Sequence, residues 1–100
     1  ARAARHFERL GYALGTADVH RVFAGIARLE KRWAVAERYL REALEVYAAH
    51  GDDLNLAEAN EELARLLAET GEDRRAREAL DRSNTLFGAL RGHKPQEDTG

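Results

Sequence analysis

The sequence predicts an all-α protein whose antiparallel helix-turn-helix repeats stack into a solenoid. Three observations predict it. The chain matches itself at an offset of forty residues. Apolar stripes at helical spacing alternate with short polar turns. The single proline, Pro95, lies beyond the last stripe and leaves everything before it free to be helix. Alanine, leucine, arginine and glutamate dominate, all good helix formers.

The offset registers without a gap. Ala3 falls on Ala43, Gly11 on Gly51, Leu14 on Leu54, Ala17 on Ala57, Ala24 on Ala64, Ala36 on Ala76 and Leu40 on Leu80. An aromatic returns at one phase as Phe7, Tyr47 and Phe87, and Phe23, Ile26 and Val46 meet Leu63, Leu66 and Leu86. The shared positions are of the buried type while the charged ones drift. Selection for a common core shape leaves that pattern.

Residues 1–10 read as a first helix, the end of a preceding repeat, closed by Gly11. A helix over 14–31 carries Val19, Val22, Phe23, Ile26 and Ala27 on one stripe, and Lys31-Arg32 turns the chain. Trp33, Ala36, Leu40, Ala43, Leu44 and Tyr47 make the stripe of a helix over 33–49. After Gly51-Asp52-Asp53 come Leu56, Leu63, Ala64, Leu66 and Leu67 in a helix over 54–70. Gly71-Glu72-Asp73 then leads to Ala76, Leu80, Ser83, Leu86, Phe87 and Leu90 over 73–90. A glycine just past a helix end supplies a left-handed cap, and the following aspartate can cap the next helix. Opposite charges four apart, such as Glu37–Arg41, Glu61–Arg65 and Glu78–Arg82, line the wet faces. Each is worth about 0.2–0.5 kcal/mol. The organisation is thus a repeat domain over 1–90, divided 1–11, 12–50 and 51–90. Residues 91–100 lack any apolar pattern and read as a disordered tail.

Composition narrows the function. The net charge of −2 offers no basic footprint for nucleic acid, and no apolar run approaches the ~20 residues that span a bilayer. Without cysteine there is no disulfide and no thiolate metal site, which fits the cytoplasm. No two histidines stand one helical turn apart, so no metal site is expected. Neither a phosphate-binding glycine loop nor a nucleophile elbow occurs. Neither an enzyme nor a cofactor is expected. The absence of methionine reads as a segment of a longer protein, and the preference for arginine over lysine as a bacterial source.

The spacing of small and large residues resembles the tetratricopeptide repeat. Ala24, Ala36, Leu40 and Ala43 fit that motif, as do Ala64, Ala76, Leu80 and Ser83, with Leu63 ahead of them and Gly71 at the turn. Small side chains let antiparallel helices approach, and large ones fill the gaps. The sequence departs from the family at His20 and Asn60, where tryptophan is common, and at Ala27 and Leu67, where tyrosine is. Its period exceeds the usual ~34 residues. In that respect it is similar to the longer-period arrays of bacterial signalling and regulatory proteins. The resemblance covers residues 17–90 and implies a right-handed solenoid that acts as a scaffold for a protein or peptide partner.

The family binds partners on the concave face lined by the first helix of each pair. Carried onto this chain, that face shows Asp18, Arg21, Gly25 and Arg28, then Glu58, Glu61, Arg65 and Glu69. The asparagines and lysines that grip chaperone tails are missing: Gly25 and Arg65 occupy one such phase and Arg21 and Glu61 another. A mixed-charge groove for an extended or helical peptide remains. The alternative is self-association through exposed terminal helices, with Leu86, Phe87 and Leu90 as the contact. Charge supports a head-to-tail form of it. Residues 1–32 carry seven basic and three acidic side chains, a balance of +4, and residues 52–78 carry four and nine, a balance of −5.

Overall fold

The computed structural model describes the backbone of residues 2–92 and the side chains of residue 9 and residues 11–92. The expected tail over 93–100 lies outside the described residues. The chain is all-α, with four helices among the described residues: α1 (Arg2–Leu29), α2 (Trp33–Ala49), α3 (Asp53–Glu69) and α4 (Asp73–Arg91). They form two compact units, Ala1–Asp52 and Asp53–Gly100.

Each unit is an antiparallel helical hairpin. In the first, Tyr47 meets Asp18, Glu42 meets His20, and Tyr39 meets Phe23, so α2 retraces α1. In the second, Ser83 bonds to Ala57 and Arg82 to Asn60.

The forty-residue period reappears as backbone geometry. At the first turn the Arg32 N–H donates to the Ala27 carbonyl at 2.8 Å, Lys31 to Arg28 at 2.9 Å and Ala36 to Arg32 at 3.0 Å. At the second, Glu72 donates to Leu67 at 2.8 Å, Gly71 to Ala68 at 3.1 Å and Ala76 to Glu72 at 2.8 Å. The left-handed residue of this turn is Gly71 (φ 81°) in the second copy and Lys31 (φ 62°) in the first. A side chain there carries about 1 kcal/mol of strain that glycine avoids.

Two local expectations change. The residues that start α2 and α4, Arg32 and Glu72, make no side-chain cap hydrogen bond. In α4 the aspartate after the turn, Asp73, lies inside the first turn and acts on the positive helix end; in α3, Asp52 directly precedes the helix and Asp53 opens its first turn. The other change is larger: α1 runs unbroken through Gly11. At the equivalent turn Gly51 adopts φ 68° and Asp52 and Asp53 follow it. Tyr12 and Ala13 follow Gly11, and the helix continues through all three.

Small residues fill the hairpin seams. Ala17, Ala24, Ala27, Ala36 and Ala43 are buried, and so are their counterparts Ala57, Ala64, Leu67, Ala76 and Ser83. Leu40 and Tyr47 complete the first core, and Leu63, Leu66 and Ala79 are buried in the second unit. The expected α1 stripe is not buried as a whole. Ala27 is inside, but Val19 is 47% exposed, Val22 61%, Phe23 45% and Ile26 48%. One antiparallel neighbour covers only part of a helix, and α2 packs on the side carrying Ala17, Ala24 and Ala27.

Candidate functional site

The two halves of the expected groove face divide differently in the structure. On α1, Asp18 and Arg21 turn toward α2. The buried Tyr47 hydroxyl donates to the Asp18 carboxylate, and the Arg21 guanidinium lies 5.9 Å from the centre of the Tyr47 ring. Burial, with the Asp18 hydrogen bond second, pushes this phenol up to about 12. Asp18 and Arg21 therefore act as partners of Tyr47 within the hairpin. Gly25 is half-buried, and a Cβ there would meet nothing within 4 Å. No close approach of this chain requires a glycine at that position. Arg28 is half-buried beside these residues.

On α3, Glu61 and Arg65 border an open-sided cleft of about 420 Å³. Ala64 and Ala68 line it from the same helix, and Ala76, Arg77 and Leu80 from α4. Leu80 is 42% exposed where its counterpart Leu40 is 3% exposed, so the cleft is where the second seam stays open. Glu58 is half-buried and Glu69 exposed. Below the cleft the seam is closed by polar bonds. The Asn60 amide donates to the Leu56 carbonyl at 3.0 Å and accepts from Arg82 Nε at 3.2 Å. The buried Ser83 hydroxyl donates to the Ala57 carbonyl at 2.8 Å.

His20, at the same phase as Asn60, packs its ring 5.6 Å from Tyr39. Its Nδ1 lies 3.6 Å from the Glu42 carboxylate, too far for a hydrogen bond. The proposed self-association residues Leu86, Phe87 and Leu90 are half-buried on α4.

Among the described residues, six of the eight exposed large apolar side chains lie elsewhere, on α1. Tyr12 is 79% exposed and Leu29 75%, and Val19, Val22, Phe23 and Ile26 lie between them. Gly11 and Gly15 share this face, and a Cβ at either would meet nothing within 4 Å. Each glycine in a helix interior costs about 1 kcal/mol against alanine, so the fold of this chain gives no reason for them. Periodicity assigned part of this face to the core. The 3-4 spacing of residues 12, 15, 19, 22, 26 and 29 is the sequence signal for this face.

No family model, curated protein or solved structure matches this chain. Its chemistry is therefore read from its own residues. Among the described residues, no helix is long and apolar enough to cross a membrane.

Proposed function

We infer that this chain is a non-catalytic protein-interaction module of tetratricopeptide-like hairpins, stacked as a right-handed solenoid within a cytoplasmic bacterial regulatory protein. The α1 face carries this reading: six large apolar side chains stand 45–79% exposed along one helix. Isolated surface leucines are ordinary, but a contiguous patch rimmed by charge marks an interaction surface. The return of both the sequence pattern and the turn hydrogen bonds after forty residues supports the repeat scaffold.

The partner that fits is an amphipathic helix. A single helix face with apolar residues three and four apart takes a second helix side by side, and an extended peptide would leave its own backbone groups unpaired there. The test is selection from a displayed peptide library against the wild-type chain, Ile26→Glu and Arg65→Glu. The expected result is enrichment of amphipathic helical sequences that is lost with Ile26→Glu and kept with Arg65→Glu. Loss with Arg65→Glu alone would move the site to the α3–α4 cleft, and failure to enrich any sequence would refute the module.

A further inference from the structure

The α1 face has the pattern of a coiled-coil seam. Tyr12, Gly15, Val19, Val22, Ile26 and Leu29 recur at alternating steps of three and four, the 3.5-residue period of helices that supercoil about one another. No charged residue occupies any of these positions. We propose that two copies of this chain pair through their α1 helices, antiparallel, in a short two-fold coiled coil. The proposal rests on the interaction-module reading and names the partner of that face.

Four observations favour a second copy. The first is area. The five large seam side chains and the adjoining Phe23 together present on the order of 700 Å², against roughly 300–600 Å² for the largest patch of a typical monomer and roughly 800 Å² per partner in a standard interface.

The second is self-complementarity. Antiparallel pairing about the midpoint of the seam sets Tyr12 against Leu29, Gly15 against Ile26, and Val19 against Val22 of the other copy. Each layer then combines a smaller and a larger residue or two of equal size. A parallel pair would stack Gly15 on Gly15 and leave a void. Gly15 becomes the hole that receives Ile26, which supplies the reason for a glycine that the isolated chain lacks.

The third is that the seam is private to this helix. In the forty-residue register Val22 becomes Glu62, Leu29 becomes Glu69 and Gly15 becomes Asn55. The repeat's core does not dictate these residues. The fourth concerns the competing head-to-tail mode. Where α2 carries Trp33 and Leu44, α4 carries the exposed Asp73 and Asn84, so α4 has a polar flank suited to ending an array. Leu86, Phe87 and Leu90 are already half-buried.

Charge makes the two modes distinguishable. Over residues 9–32, Arg9, Arg21, Arg28, Lys31 and Arg32 outweigh Asp18 and Glu30, a balance of +3. An α1–α1 pair therefore strengthens with added salt, while a head-to-tail pair between opposite charges weakens. Sedimentation equilibrium from about 5 to about 500 µM should show the mass rising from 11.2 kDa toward twice that value, further in high salt. Ile26→Glu and Val22→Glu should each hold the chain at its single mass with helical circular dichroism unchanged.

The sequence has no cysteine, so introduced thiols report the register cleanly. Val19→Cys mixed with Val22→Cys under copper-phenanthroline oxidation should form the mixed disulfide faster than either variant links to itself. A monomer throughout the concentration range, a dimer unaffected by Ile26→Glu, or faster self-linking of Val19→Cys would each overturn the pairing. A monomer that still selects helical peptides defeats only the second copy as occupant; one that selects none defeats the module reading as well.

Discussion

Removing one hydroxyl from the first hairpin should change how its stability depends on pH. Tyr47 is fully buried, its hydroxyl donates to Asp18, and its ionisation is pushed from 10.0 to about 12. In Tyr47→Phe the ring still fills the core, so the loss near neutral pH is that of one hydrogen bond to a charged acceptor. Because Asp18 is exposed and regains water, about 1–2 kcal/mol is expected. The pH term has the opposite sign. The folded state holds the proton more tightly than the unfolded chain, so the stabilisation is complete below pH 10 and is lost as pH rises toward 12. At about 1.4 kcal/mol per unit, wild type loses about 3 kcal/mol across that window and the phenylalanine variant loses none through this group. The two stability curves should therefore cross near pH ~11. Urea unfolding followed by the fluorescence of Trp33, the single tryptophan and a member of this hairpin, reads the difference. Parallel curves for the two proteins from pH 9 upward would refute the assignment, because the two proteins differ only in this hydroxyl.

Three further substitutions test the packing. Lys31→Gly should stabilise the first hairpin by about 0.5–1 kcal/mol, measured by thermal unfolding, because it removes a side chain from a left-handed residue that the second copy builds with Gly71. Leu40→Ala should cost about 2–4 kcal/mol, whereas Leu80→Ala, at the same phase but on the open cleft, should cost under about 1 kcal/mol; equal losses in urea titrations would contradict the difference in burial. Ser83→Ala should cost about 1 kcal/mol by the same measurement, since the Ala57 carbonyl loses a buried donor that the first copy, with Ala43, never supplies.

The turns and seams were legible in the sequence because close packing restricts them. Only small residues fit where two helices approach, and Ala17, Ala24, Ala36 and Ala43 recur as Ala57, Ala64, Ala76 and Ser83 for that reason. The positive-φ turn shows in Gly71, but at Lys31 it is visible only through the register, since a lysine there does not declare it. Gly11 misled because a glycine alone does not end a helix: Gly51 and Gly71 adopt the left-handed conformation that closes one, whereas Gly11 lies within α1. The apolar stripe of α1 was legible as apolar but not as open. Periodicity shows that a face is to be buried and says nothing about what buries it.

The two copies give the α1 face its meaning. Val19, Phe23 and Ile26 correspond to Ala59, Leu63 and Leu66, which are 0–1% exposed, so these phases are core positions wherever a neighbour covers them. Had α1 merely kept a core stripe for which nothing in this chain supplies a cover, Val22, Leu29 and Gly15 would be free to drift to polar residues, as Glu62, Glu69 and Asn55 show the repeat allows. The change runs the other way: α1 adds apolar residues at those phases and widens the stripe. Selection against exposed hydrophobic surface opposes that change unless the surface is covered in the working state. Gly15 adds to the same conclusion, since it costs the lone helix stability and gains it back only against a large side chain from outside. The interface is therefore written in the positions where the first repeat differs from the second, and replacing those residues should separate association from folding.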